Sequence, residues 1–210
     1  MSAVRYLFVV ALIPLAGCVS VLPEAPKPPR IYTMSAASSP VGVRSEPSSL
    51  VLAVAAPNGA RALMGAEMVW RTNGVIAYVD QVEWAGRTPD LLQALLVDTL
   101  DAQGLVRGGV RAGSGVRADY EIQWDIAAFE IHEHDGRLEA HMGGTARLVE
   151  TRTRELIATL PFDRVAPLSE RSTGLAAAAL ESLARDVASD IARSLYEAAS
   201  DHTNAASSMR

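Results

Sequence analysis

Tyr120-Glu121-Ile122-Gln123-Trp124-Asp125-Ile126-Ala127-Ala128-Phe129-Glu130-Ile131 is the stretch on which the fold turns. Tyr120, Ile122, Trp124 and Ile126 alternate with Glu121, Gln123 and Asp125, the period of a strand with one face buried and one wet. The phase then reverses, because Phe129 and Ile131 are apolar while Glu130 and His132 are polar. A regular strand would aim Phe129 at water. One extra residue near Ala127-Ala128, a β-bulge, restores a single apolar face. The partner strand follows directly. Asp135-Gly136 is a tight-turn pair, and Leu138, Ala140, Met142, Gly144, Ala146 and Leu148 keep one unbroken phase. With a two-residue turn, Phe129 faces Met142 and Ile131 faces Ala140. Beyond the bulge, Trp124 faces Ala146 and Ile122 faces Leu148. Leu156, Ala158, Leu160 and Phe162 repeat the alternation and complete a three-stranded meander.

Upstream of this meander the chain mixes strands with one helix. Leu50 to Ala55 is a short apolar run, followed by Pro57-Asn58-Gly59, a strand and then a turn. Met68 to Arg71 and Val75 to Val79 flank Thr72-Asn73-Gly74, a hairpin signal. Thr88-Pro89-Asp90 opens a helix: Thr88 serves as cap, Pro89 loses no needed donor, and Asp90 suits the positive end of the dipole. Leu91, Leu92, Leu95, Leu96, Thr99 and Leu100 share one arc, and Gly104 ends the helix. Gly113-Ser114-Gly115, after Arg107-Gly108-Gly109, reads as a flexible connection. Ser172-Thr173 caps a last helix running to about Ala199, with Leu180, Leu183, Ala184, Val187, Ile191 and Leu195 as its apolar stripe and Glu181–Arg185 as a spaced ion pair outside. These elements predict one α/β (α+β) domain, with a mixed or antiparallel sheet, a C-terminal three-stranded meander and two main amphipathic helices packed on it.

The N-terminus has a different character. Arg5 precedes an apolar run from Tyr6 to Leu15, which closes on Leu15-Ala16-Gly17-Cys18. A basic start, a short apolar stretch and small residues before the cut make a secretory signal peptide. The run is too short for the ~20 residues that a spanning helix needs. The cysteine directly after Leu-Ala-Gly resembles the lipobox of bacterial lipoproteins. That resemblance implies cleavage between Gly17 and Cys18 and lipid attachment at Cys18, with residues 1–17 removed. Residue 19 is valine rather than aspartate, which on the same resemblance favours the outer membrane, the body facing the periplasm.

Residues 18–48 then read as the lipidated cysteine with a Pro/Ser-rich linker. Val19 to Arg30 carries four prolines, and in polyproline II form at ~3.1 Å per residue it spans roughly 35–40 Å. Ser35 to Ser49 is a second loose stretch, and between them Ile31-Tyr32-Thr33-Met34 suits a strand or a docking segment. Residues 49–200 form the globular domain and 201–210 a disordered tail.

Charge and composition exclude several functions. The chain has 19 basic and 24 acidic residues; loss of Arg5 with the signal segment leaves 18 against 24, a net charge of −6. No basic stripe for nucleic acid is visible. Cys18 is the sole cysteine, so there is neither a disulfide framework nor a thiol nucleophile elsewhere. The glycines around Ser114 lack the spacing of a nucleophile elbow, and no phosphate-binding loop occurs. His132, His134 and His141 cluster on the meander's first hairpin, but the register sets His141 opposite Glu130 and His132 opposite Glu139, a solvated face of alternating acids and bases. No metal, cofactor or catalytic residue is assigned. Trp70 and Trp84 stand out in a chain poor in aromatics. They read as core, or alternatively as contact residues for a partner.

Several of these segments together resemble a known family. Ala62-Leu63-Met64-Gly65-Ala66-Glu67-Met68-Val69-Trp70-Arg71, then Tyr78-Val79-Asp80-Gln81-Val82-Glu83-Trp84-Ala85 leading into Thr88-Pro89-Asp90-Leu91-Leu92, then Ala118-Asp119-Tyr120 and Phe129, are similar in order and spacing to the ABC-type transport auxiliary lipoproteins. These are the PqiC-like components of MCE-type lipid transport systems. The early Tyr32-Thr33-Met34 departs mildly from the Tyr-x-Leu more common among relatives. The resemblance implies a non-catalytic, lipid-anchored body. Its partners would be an MCE-domain substrate-binding subunit and the ABC permease and ATPase of the same system. The sequence leaves the oligomeric state open between a monomer and a homo-oligomer. The system would move phospholipid or sterol-like lipid. The competing reading is a structural or assembly lipoprotein of another envelope complex.

The lipobox is tested directly by Cys18→Ser. This variant is expected to incorporate no palmitate in metabolic labelling and to remain unprocessed or soluble; label retained in it would sink the anchor.

Overall fold

The computed structural model describes residues 28–35 and 48–208. The signal segment, Gly17, Cys18, linker residues 19–27 and residues 36–47 lie outside the described residues. In chain order the elements are β1 (Arg30–Tyr32), β2 (Val51–Val54), β3 (Asn58–Gly59), a 3-10 turn (Arg61–Leu63), β4 (Glu67–Thr72), β5 (Val75–Trp84), α1 (Thr88–Gln103), β6 (Gly108–Arg111), β7 (Tyr120–His134), β8 (Arg137–Glu150), β9 (Leu156–Pro167) and α2 (Thr173–Ser208).

β7 is the spine. Along one edge it pairs antiparallel with β8, which pairs with β9. Along its other edge three short strands follow one another, all parallel to it: β2 beside Tyr120–Ile122, β3 beside Asp125–Ile126 and β4 beside Ile131–Glu133. β6 extends the sheet beyond β2; β5 and then β1 extend it beyond β4. The sheet is therefore mixed, and it forks on one side of β7.

The bulge falls where the phase reversal requires it. Ile126 pairs with Gly144 and Ala128 with Gly143, leaving Ala127 without a partner. Phe129 lies opposite Met142, Ile131 opposite Ala140, Trp124 opposite Ala146 and Ile122 opposite Leu148. All eight are buried on one side of the sheet. Ala158, Leu160 and Phe162 pair with Leu148, Ala146 and Gly144, as their alternation predicts. Both hairpins turn through two residues of positive φ, Asn73-Gly74 (48° and 86°) and Asp135-Gly136 (49° and 73°). That geometry matches the twist of the flanking strands.

The helices lie side by side on the apolar face, α1 over β2 and β6, α2 over β7, β8 and β9. Leu92, Leu96 and Leu100 of α1 and Val187, Ile191 and Leu195 of α2 are at most 1% exposed. Each such burial contributes ~1.5–3 kcal/mol. Between them α2 buries Ala176, Ala177, Ala184, Ala188, Ala192 and Ala199. These small side chains let a helix of 36 residues lie close against the strands. Gln93 reaches across from α1 to donate to the Val54 carbonyl at 2.8 Å.

Four sequence expectations need correction. Asn58-Gly59 is not a turn but β3; a Cβ at Gly59 would sit 2.7 Å from the Ile126 carbonyl oxygen, so only glycine lets this strand approach. Gly108-Gly109, ahead of the connection at Gly113-Ser114-Gly115, begin β6, with Gly109 against Leu100 and the Val97 carbonyl of α1. Thr88 does not cap α1. Arg87 occupies the cap position, and buried Thr88 donates its hydroxyl to the Gly65 carbonyl at 3.0 Å. The domain reaches back past residue 49, because Arg30, Ile31 and Tyr32 pair with Val82, Glu83 and Trp84. Lastly, α2 continues to Ser208 through the expected disordered tail. Tyr120 holds it there, its hydroxyl 2.9 Å from both His202 Nδ1 and Thr203 Oγ1.

Gly144 sits where β7 bends over β8. A Cβ there would lie 2.1 Å from the Asp125 carbonyl oxygen and 2.7 Å from Phe162 Cζ. Gly144→Ala is expected to cost at least the ~1–3 kcal/mol of an overpacked core, read as a lower midpoint in urea unfolding. An unchanged midpoint would show that the bend is not tight.

Candidate functional site

Three places bring functional side chains together: the docking of the N-terminal segment, the paired hairpin tips, and the far end of α2.

The N-terminal segment is built into the body at two levels. β1 lies parallel on the outer edge of β5, and the Ala85 amide donates to the Tyr32 carbonyl at 2.7 Å. Tyr32 meets Trp84 edge-on at 6.5 Å between centroids, and Trp84 meets Phe129 at 5.7 Å. Three residues on, Ser35 is clasped by α2: its amide donates to Glu181 Oε1 at 3.3 Å, and Arg185 Nε donates to its carbonyl at 2.7 Å. The Glu181–Arg185 pair predicted on the helix exterior is present, and it also fastens this incoming chain.

At one end of the sheet the two hairpin tips stand together. Thr72 of β4 lies beside Glu133 of β7, and the Asn73 amide donates to the Glu133 carbonyl at 3.1 Å. One carboxylate oxygen, Glu133 Oε2, accepts from Arg171 Nη1 at 2.6 Å, Trp70 Nε1 at 3.0 Å and Thr72 Oγ1 at 3.2 Å. The Arg171 guanidinium covers the Trp70 ring, 4.7 Å from its centroid. A cleft of about 360 Å³ opens beside this group, between Trp70, Arg171 and the start of β5. On the opposite face, Arg71 holds Glu130 in a bidentate pair at 2.6 and 2.9 Å. Glu130 is only 3% exposed, so it does not lie on a solvated face as its alternation suggested. The Glu130 carboxylate raises the Arg71 guanidinium further above its usual value.

Far from the tips, a cleft of about 380 Å³ lies between Tyr120, Glu150, Arg152, His202 and Thr203. Burial pushes the Tyr120 phenol up. The Thr153 hydroxyl holds the Glu150 carboxyl below the usual range. On the open face Arg147 pairs with Asp125, and at the sheet–helix margin Arg164 of β9 pairs with Asp190 of α2, each exposed and contributing little.

Trp70 and Trp84 are 4% and 3% exposed. Both are core residues, and neither offers a surface to a partner. The three histidines do not converge: His141 pairs with Asp163 at 2.5 Å, His134 with Asp135 at 3.2 Å, and His132 stacks on His141. Among the described residues no group of three or more His, Cys, Asp or Glu is placed to hold a metal ion. Sequence reading missed the Arg71–Glu130 pair and the Glu133 hub. Both depend on the parallel register of β4 against β7, which no local pattern encodes.

The family model described as an ABC-type transport auxiliary lipoprotein component matches residues 32–192. A crystal structure of a Xanthomonas campestris protein superposes with a TM-score of 0.75 at 22% identity, covering 83% of this chain and 99% of that one. A second crystal structure, of an uncharacterized protein, gives 0.62 at 19% identity, covering 80% and 99%. Both show the fold alone. An uncharacterized protein of Bradyrhizobium diazoefficiens is 27% identical over 110 residues, 52% of this chain but only 30% of that protein's length.

The Arg71–Glu130 pair provides a test of the site's internal electrostatics. Arg71→Met strands a buried carboxylate and is expected to cost ~3–5 kcal/mol. Adding Glu130→Gln removes the stranded charge and should recover much of that loss in chemical denaturation. A double variant no more stable than Arg71→Met would refute the pairing.

Proposed function

The chain belongs to the ABC-type transport auxiliary lipoprotein family, and on that premise we propose that it is a non-catalytic component of an MCE-type lipid transport system of the bacterial envelope. In this reading the signal segment is cut between Gly17 and Cys18, and Cys18 carries the lipid. The body is held at the outer membrane and faces the periplasm. It engages an MCE-domain subunit whose permease and ATPase move phospholipid or sterol-like lipid.

The observation that carries this reading is the way the N-terminal segment joins the body. The chain next to the linker becomes a sheet strand, packs Tyr32 on Trp84 and is clasped at Ser35 by Glu181 and Arg185. A tether fixed in this way sets the orientation of the body it holds, which suits a protein that works by contact. No helix among the described residues is long and apolar enough to cross a membrane. A lipid on Cys18 supplies the attachment instead, since each buried methylene contributes ~0.8 kcal/mol and two or three chains hold firmly.

Gentle cross-linking and affinity purification of the full-length lipoprotein from envelope extracts is expected to recover an MCE-domain subunit. Deletion of the protein is expected to raise envelope permeability to lipophilic probes. Recovery of a different envelope machine, with lipid traffic unchanged, would replace the transport reading with that of an assembly lipoprotein.

A further inference from the structure

Val75, Ile76 and Tyr78 are 70%, 37% and 54% exposed. They fall within four residues at the start of β5, directly after the Asn73-Gly74 turn. Neighbouring strand residues point to opposite faces, so this tip is apolar on both sides. Among the described residues its outer edge is also unpaired, because β1 reaches only Val82, Glu83 and Trp84. An apolar strand edge of this kind is normally paired, charged or covered.

The direction of β1 indicates what covers it. β1 runs parallel to β5, with Arg30 beside Val82. The N-terminal end of β1 therefore points toward Val75, the tip end of the sheet. Along β5, Val82 to Val75 is about 23 Å at ~3.3 Å per residue. The twelve residue steps from Cys18 to Arg30 span about 37 Å when extended at ~3.1 Å each. The linker is thus long enough to bring Cys18 level with the tip, with reach to spare. It is poorly suited to cover the edge itself: Pro23, Pro26, Pro28 and Pro29 lack the amide protons a ladder needs. The Gln81 backbone, at φ 55°, also breaks the edge between the two halves of β5. A bilayer surface needs no ladder. It accepts apolar side chains from both faces of a tip, and a tyrosine suits its polar boundary.

From this geometry we infer that the β4–β5 hairpin tip, with Val75, Ile76 and Tyr78, rests on the lipid leaflet that carries the anchor. The inference builds on the reading of Cys18 as lipidated. The body then stands with its two hairpin tips toward the bilayer and the C-terminal end of α2 away from it.

The test uses the full mature lipoprotein in vesicles of phosphatidylethanolamine and phosphatidylglycerol. Acylated Cys18 has no free thiol, so a nitroxide on Ile76→Cys is the sole label. A nitroxide on Asp98→Cys, on the exposed face of α1, is the reference. The label at 76 is expected to collide several-fold less with a water-soluble nickel chelate, and more with oxygen, than the label at 98. Intact mass measures acylation in the same samples. If Cys18 is acylated and the two labels are equally open to the chelate, the tip proposal alone fails. If Cys18 is not acylated, the lipoprotein reading fails and the tip proposal with it. Spin–spin broadening at 76, persisting without vesicles, would mean that a second copy covers the tip and would overturn the proposal.

Discussion

The bend of β7 at Ala127 is the constraint on which the remaining structure depends. A strand of fifteen residues cannot stay flat and keep one face buried beneath a helix. The unpaired residue at Ala127 gives the twist, and Gly144 opposite gives the room. The bend also separates the neighbours on the other edge. β2 and β3 pair before it and β4 after it. From there the fork follows: β6 and α1 gather around the first half, β5 and β1 around the second. One residue in the middle of one strand thus divides the sheet into a half that carries the helical core and a half that carries the hairpin tips and the N-terminal tie.

Polar groups sit where those halves have to be joined. Glu133 collects donors from β4 and from the segment before α2. Arg71 and Glu130 bridge β4 and β7, and Trp124 donates from β7 to the Ala55 carbonyl after β2 at 2.8 Å. Buried ionic groups of this kind add little net stability over apolar packing but penalise the wrong pairing. Three short parallel strands offer few side chains to fix a register. Here the register of β4 is marked by charge as well as by shape.

The meander was legible because its information is local. Alternation, one phase reversal and an Asp-Gly turn specify fourteen residue pairs across a single hairpin. Both helices were legible for the same reason, from apolar arcs at helical spacing. The parallel contacts were not. The partners in β2 and β7 are 68 residues apart in the chain, as Leu52 and Tyr120 show, and a two-residue strand such as β3 has no period to detect. The site followed the same division. Trp70 and Trp84 were noticed for their rarity, but rarity does not distinguish a core indole from an exposed one. What settles it is the Arg171 guanidinium over one ring and Tyr32 and Phe129 around the other, all brought in by long-range pairing. The exposed tip was visible in outline as apolar residues after Asn-Gly. Its lack of a neighbour among the described residues was not, since that depends on how short β1 is.

The parallel docking of β1 has a mechanical consequence. A load on the N-terminal end of β1 acts along the strand axis and places its ladder bonds to β5 in shear. Bonds in shear share the load and rupture together, whereas bonds pulled from one end open one at a time. Should the first ladder slip, the clasp of Ser35 by Glu181 and Arg185 takes up the strain on a different element. A body tethered in this manner can be tugged by thermal motion of its attachment, or by partners working against it, without its first strand peeling away.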